Sequence, residues 1–188
     1  MAFDVQQFRA SLVNDGARAS LFEVVMNLPP AAGFTAINQE VRFKARSTSL
    51  PGDTISPISV PYFGREIKVA GTRSFPDWSF TVINDENFLI RNSLETWMSG
   101  INAHVANLRA GALAVSFEYQ ANAIVNQFAK TGEIIKSYTM VGCFPTDVAP
   151  IELDWGSGDQ IEEFSVTWAY QWWESIYPVP TTDAVASV

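Results

Sequence analysis

From Phe164 to Trp172 every second residue is bulky and apolar: Phe164, Val166, Trp168, Tyr170 and Trp172, with Glu163, Ser165, Thr167 and Gln171 at alternate positions. A helix cannot gather that set on one side, because its period is 3.6 residues. A strand can, because successive side chains point to opposite faces. The segment therefore demands a sheet with one buried face, and the demand recurs along the chain. Phe22, Val24, Met26 and Leu28 alternate with Glu23 and Asn27 until Pro29-Pro30 stops the ladder. Trp78, Phe80 and Val82 alternate within 75–83, and Glu66 to Ala70 and the stretches near 115–129 and 133–143 are extended in pattern. Glu40 to Arg46 reads the same way, with Val41, Phe43 and Ala45 on one face. Glu40, Arg42, Lys44 and Arg46 form a charged row on the other, a solvated strand face or the lining of an interface or channel. Thirteen Phe, six Trp and five Tyr supply the bulk that such inward rows need.

Two segments depart from alternation. Ile90, Leu94, Trp97, Met98 and Ile101 recur at helical spacing, predicting a helix from Asp85 to about Ile101 that packs on the sheet through this stripe. Asn84 or Asp85 is its expected cap. Thr54 to Arg65 carries Pro57, Pro61 and Gly64, which exclude a regular central strand and predict a long, partly extended loop or irregular hairpin. Leu50, Ile55, Ile58, Val60, Tyr62 and Phe63 make this region apolar, and with Arg65 they are the candidate contact residues, since an exposed apolar segment needs a partner. The expected organisation is an N-terminal arm at 1–20 with one short helical piece, a single domain at 21–174 and an unpatterned tail at 175–188. About seven strands and one flanking helix place the chain among mainly β sandwiches or barrels.

The search for chemistry excludes more than it finds. A net charge of −8 disfavours a general nucleic-acid binder held by phosphate contacts. The N-terminus shows no signal-peptide pattern, and no apolar run approaches the roughly twenty residues of a membrane span, so no membrane anchor is expected. Cys143, the lone cysteine, sits in an apolar run and reads as a core residue; His104, the lone histidine, reads as a surface residue. Asp77, Asp85, Glu86 and Glu95 read as a solvated strand face and a helix start, and Asp154 to Asp159 as a turn without the ligand pattern of a calcium loop. No phosphate-cradling glycine loop and no nucleophile elbow is present. No catalytic residue, metal ligand or cofactor is assigned, and the chain is not expected to be an enzyme.

A collinear set of segments carries a resemblance. Leu50-Pro51-Gly52, the run from Gly64 to Trp78, Thr81 to Glu86, Arg91 and Trp97 form its first part. Ala123-Ile124-Val125, Gln127-Phe128-Ala129, Phe144 to Val148, Leu153-Asp154-Trp155 and Phe164 to Thr167 form its second. Together, over roughly residues 20–174, they resemble the tail tube proteins of contractile-tailed bacteriophages, relatives of pyocin and type VI secretion tubes. The resemblance implies two sheets packed crosswise into a barrel-like sandwich with one flanking helix. It also implies six-membered rings stacked helically into a hollow tube that conducts the phage genome into the host. Implied partners are other copies of the chain, tail sheath, baseplate hub and tail terminator proteins, with genomic DNA and a tape-measure protein in transit; the implied location is the virion tail, assembled in the host cytoplasm. The region at 50–66 would reach the adjacent ring, and Glu40, Arg42, Lys44 and Arg46 would line the lumen or pair with acids of neighbouring subunits. A tube of another contractile injection device and a monomeric β-sandwich binding module remain the alternatives.

Overall fold

A computed structural model describes residues 5–12, 14, 16–28 and 37–176. Strands dominate it: β1 Phe22–Asn27, β2 Ala45–Thr48, β3 Thr54–Tyr62, β4 Arg65–Ser74, β5 Trp78–Ile83, β6 Ala121–Phe128, β7 Ile134–Val148, β8 Glu163–Ala169 and β9 Trp172–Ile176. Helices are α1 Val5–Ser11, α2 Ile37–Lys44, α3 Leu89–Ile101 and α4 Ser116–Tyr119. Seven strands form one antiparallel sheet in the order β1-β6-β7-β8-β5-β2, with β9 also on β7; β3 and β4 pair only with each other. The expected stop at Pro29-Pro30 lies outside the described residues, as does the expected tail at 175–188 except for Ser175 and Ile176, which belong to β9.

Strand β7 folds the large sheet into two layers. Its first part pairs with β6 and β9, and its last residues, from Phe144, pair with β8. Gly142 stands at the change of partner with φ +70°, and a Cβ there would come within 2.8 Å of the Gln171 side chain, so glycine is required on both counts. The layers share one core. Val24, Met26, Val125 and Met140 come from one side; Trp78, Phe80, Val82, Phe164, Val166 and Trp168 come from the other. Phe80 and Trp168 stack with centroids 5.8 Å apart, and Trp97 of α3 tilts onto Trp168 at 5.6 Å. The body is sandwich-like and mainly β, and its sheet stays open at β1 and β2 among the described residues instead of closing.

Helix α3 buries Ile90, Leu94 and Trp97 and leaves Met98 and Ile101 half-buried. The Trp97 indole N–H donates to the Tyr119 carbonyl at 3.0 Å. The helix starts four residues later than the sequence predicts, after Phe88 in a left-handed conformation with no side-chain cap. The expected caps are engaged elsewhere: Asn84 Nδ2 donates to Glu162 and Asp85 accepts from Lys44.

Two further expectations are corrected. Glu40 to Lys44 is helical, within α2, and only Ala45 and Arg46 belong to a strand. The helix buries Val41 and exposes Phe43, the reverse of a shared strand face. The strand expected through Trp172 ends at Ala169. The Gln171 N–H turns to the Val141 carbonyl, and Trp172 begins β9 with its side chain outward.

Candidate assembly interface

The β3–β4 hairpin is an arm, not a part of the body. Its register runs from Thr54↔Ser74 to Tyr62↔Arg65, with a shift between Ile55 and Pro57. At that shift Gly71 passes so close to β3 that a Cβ would lie 2.6 Å from the Ser56 carbonyl oxygen. The tip is a two-residue turn, Phe63-Gly64, with φ +41° and +81°, the signs a type I′ hairpin requires. Glycine adopts that conformation freely; Phe63 does so against its preference, with its ring outside and edge-on to Tyr62 at 4.7 Å. Glu66 to Ala70, expected as a separate strand, is the return half of this hairpin.

The register makes the arm two-faced. Ile58 opposes Val69, Val60 opposes Ile67 and Tyr62 opposes Arg65 on one side; Pro57, Ser59, Pro61, Glu66, Lys68 and Ala70 share the other. Among the described residues of one chain the apolar side covers nothing. Ile58, Val60, Ile67 and Val69 are 45–53% exposed, Tyr62 62% and Phe63 92%. An isolated two-stranded hairpin is marginal in water, and an apolar face of this length marks an interaction site.

The two long edges of the arm differ. Tyr62 and Arg65 flank a two-residue turn and so exchange ladder hydrogen bonds, which puts Ser59, Lys68, Pro57 and Pro61 at the alternate, outward-pointing positions. The prolines lack the outward N–H there, so the β3 edge is blunted while the β4 edge keeps the N–H groups of Glu66, Lys68 and Ala70.

The arm is rooted firmly. Pro51 is buried, and the Gly52 carbonyl accepts from Tyr170 Oη at 3.4 Å and from Trp173 Nε1 at 3.2 Å. Trp78 Nε1 donates to the Ser49 carbonyl at 2.9 Å, and Asp53 pairs with Arg73 at 3.1 Å across the base. Leu50 lies half-exposed beside this root.

The charged row at 40–46 finds its acids within the chain. Arg42 Nε pairs with Glu23 at 2.5 Å, Lys44 pairs with Glu40 and, at 2.5 Å, with Asp85, and Arg46 pairs with Glu163. Three cations meet four carboxylates, so none of the three depends on a neighbour's acid.

The remaining candidates for chemistry are scattered. Cys143 is fully buried, and burial pushes its thiol up to about 12, too high for a nucleophile at neutral pH. His104 sits exposed in the turn after α3. Glu95 pairs with Arg91 on the α3 surface, and Asp154 closes a turn by accepting from the Gly156 N–H. Among the described residues no group of three His, Cys, Asp or Glu side chains is placed to hold a metal, and no helix is long and apolar enough to cross a membrane.

Comparison with known proteins gives a consistent pattern. Residues 17–176 match the phage tail tube protein family. The chain is 34% identical to the tail tube protein gp19 of Enterobacteria phage T4 over 167 residues, which is 88% of this chain and 96% of that one. Two solved structures share the fold: the tube-terminating cap of the anti-feeding prophage (TM-score 0.63, 14% identity, 88% and 94% of the two chains) and the PVC sheath-tube complex of an extracellular contractile injection system (TM-score 0.59, 12% identity, 94% and 99%).

Proposed function

The chain belongs to the phage tail tube protein family, and from that premise we propose that it is the repeating subunit of a contractile tail's inner tube, with the β3–β4 arm as the contact between successive rings. It is a structural tail component of the virion. The observation that carries the arm's role is an apolar blade, rooted by buried groups, that covers nothing among the described residues of its own chain. Head-to-tail contacts that close make rings, and head-to-tail contacts that do not close make filaments. In this reading six subunits close each ring and the arm carries the stack from one ring to the next, with Leu50, Ile55, Ile58, Val60, Tyr62, Phe63 and Arg65 at the joint.

The same reading assigns the tube's passage to the phage genome and tape-measure protein, and its outer and end contacts to sheath, baseplate hub and terminator. The row Glu40, Arg42, Lys44 and Arg46 suits a lumen wall because its cations are already neutralised within the chain. A wall without free cations passes a polyanion without holding it, since each phosphate contact adds salt-sensitive affinity. The sequence favours a phage tail over another injection device: identity is 34% to the phage T4 protein and 12–14% to the two injection-device structures.

Electron microscopy of the purified chain, alone and with a baseplate nucleus, tests the proposal. Rings or tubes are expected from the intact chain. A chain whose arm is cut back to a short turn between Asp53 and Phe75 is expected to fold with an unchanged unfolding midpoint and to stop growing tubes. Long tubes from the shortened chain would end the inter-ring role of the arm.

A further inference from the structure

We infer that residues 149–162, the loop between β7 and β8, are the seat for the arm of the next copy, so that one subunit carries the two halves of the axial joint at opposite ends. The inference rests on the tube reading above and adds the missing half of the contact.

Strand β5 fixes the polarity. At its first residue, Trp78, the indole N–H reaches the Ser49 carbonyl at the root of the arm. At its last, Ile83 pairs with Glu163, where the 149–162 loop enters β8. Asn84, one residue on, donates its backbone N–H to the Glu162 carbonyl and its side-chain amide to the Glu162 carboxylate, both at 2.8 Å. Arm and loop are therefore separated by the length of a six-residue strand, about 20 Å. Copies stacked in one direction bring the arm of each against the loop of the next.

The loop has the surface an arm needs. Leu153, Trp155 and Ile161 are 79%, 105% and 72% exposed, although large apolar side chains gain by burial. They are displayed by a folded segment. The Gly156 N–H bonds the Asp154 carboxylate at 3.0 Å, the Ser157 N–H the Asp154 carbonyl at 3.1 Å, and the Gln160 N–H the Ser157 carbonyl at 3.1 Å. Arg91 holds the loop's first residue by donating to the Ala149 carbonyl at 3.0 Å.

Charge selects the occupant. Residues 149–162 contain four acids and no Lys or Arg. The arm, 54–74, contains Arg65, Lys68 and Arg73 against Glu66 alone, a basic piece of a chain whose net charge is −8. Arg73 is engaged at the root; Arg65 and Lys68 make no ion pair among the described residues. An apolar, basic blade and an apolar, acidic seat on the same molecule are complementary to each other and not to themselves, which favours a head-to-tail joint over a two-fold one.

Charge exchange tests the pairing. Arg65→Glu with Lys68→Glu, and separately Glu152→Lys with Asp159→Lys, should each raise the concentration at which tubes appear by about tenfold or more. The four changes together should restore most of the loss. A combined variant no better than the worse parent overturns the seat while leaving the tube reading intact; an intact chain that forms neither rings nor tubes, alone or on a baseplate nucleus, overturns the tube reading itself. Should a charge variant fail to fold, cysteines decide. Phe63→Cys with Trp155→Cys in one chain should oxidise into covalent ladders running between rings, and neither single variant should; Cys143, being buried, does not compete. The absence of ladders from assembled tubes of the pair refutes the contact.

Discussion

Strand β8 and the β3–β4 arm are written in the same alphabet and end in opposite surroundings. In β8 the alternate residues Phe164, Val166 and Trp168 are at most 2% exposed; in the arm Ile58, Val60, Ile67 and Val69 are about half exposed. Both satisfy the period-two rule for a sheet with one apolar face. Periodicity reports that a face must be covered, not by which molecule. What separates the two is their neighbours: β8 lies between β7 and β5, whereas each strand of the arm has only the other. Prolines supply the one local sign of this, because Pro57 and Pro61 are tolerable only where an edge faces outward.

The largest effect that tests the contrast is on stability. Trp97→Ala removes an indole that is 1% exposed, packed on Trp168 and hydrogen-bonded to Tyr119, and should lower the stability of the unassembled subunit by about 3–5 kcal/mol. Ile67→Ser in the arm should change it by less than about 0.5 kcal/mol yet raise the concentration needed for tube growth. Urea unfolding of the dilute subunit and sedimentation of the concentrated protein separate the two readouts. Equal losses of stability would mean that the arm folds back on its own body in solution.

A smaller effect tests the asymmetry of the arm's edges. Ser59 and Lys68 face each other across the ladder at outward-pointing positions. Proline at either removes one outward N–H and leaves the internal ladder whole. If main-chain pairing contributes to the joint, only the β4 edge can supply a continuous row of donors. Lys68→Pro should then weaken tube growth beyond Lys68→Ala by about 1 kcal/mol per subunit, one net hydrogen bond, while Ser59→Pro changes nothing. The Lys68→Ala control removes the charge contribution. Equal effects of the two prolines would show that the arm binds through its apolar face alone.

Much of the body is legible in the sequence because burial enforces the pattern there. Phe22 to Leu28, Trp78 to Val82 and Phe164 to Trp168 each have one face in the core, and each alternates. The reading fails where a short run fits two periods. Glu40 to Arg46 alternates over seven residues, but Val41, Lys44 and Ala45 also lie at helical spacing, and these are the positions that turn inward. It fails again at Tyr170, where unbroken alternation through Trp172 hides a change of strand made visible only by the bond from Gln171 to Val141. The helix starts later than its pattern predicts because Asn84 and Asp85 have long-range partners, Glu162 and Lys44, that outcompete a local cap. On the arm, prolines signalled irregularity and apolar residues signalled contact, but its return strand carries no mark distinguishing it from a body strand. The acidic loop at the other end carries no interface signal in the sequence, because exposed Trp155 and Leu153 lie in a turn, where no periodicity shows that a face is left uncovered.

The smallest expected effect concerns what acid does to each region. The Asp85 carboxyl is held below its usual range mainly by the hydrogen bond from Lys44, with burial opposing. The folded chain thus binds fewer protons there than the unfolded chain. The stabilisation is present above about pH 4 and is lost as the pH falls through the lowered value. Lys44 behaves oppositely: burial pulls its pKa down, but Asp85 and Glu40 together outweigh it, so the net shift is upward from 10.5. Its contribution is in place at every pH below that and is lost only as pH rises through the raised value. The clamp from α2 to the end of β5 therefore holds between these limits and opens at the acid end first. The arm's ladder has no such clamp: between Thr54 and Ser74 its only carboxylate is Glu66, and its ion pair, Asp53 with Arg73, lies at the root. Acidification from pH 7 to about 3 should speed amide exchange in Val41–Lys44 relative to the arm's ladder, and Asp85→Asn should remove that dependence at a cost of no more than about 1 kcal/mol at neutral pH. If the asparagine variant keeps the full acid dependence in α2, the Lys44–Asp85 clamp is not its source, and this contrast between body and arm is refuted.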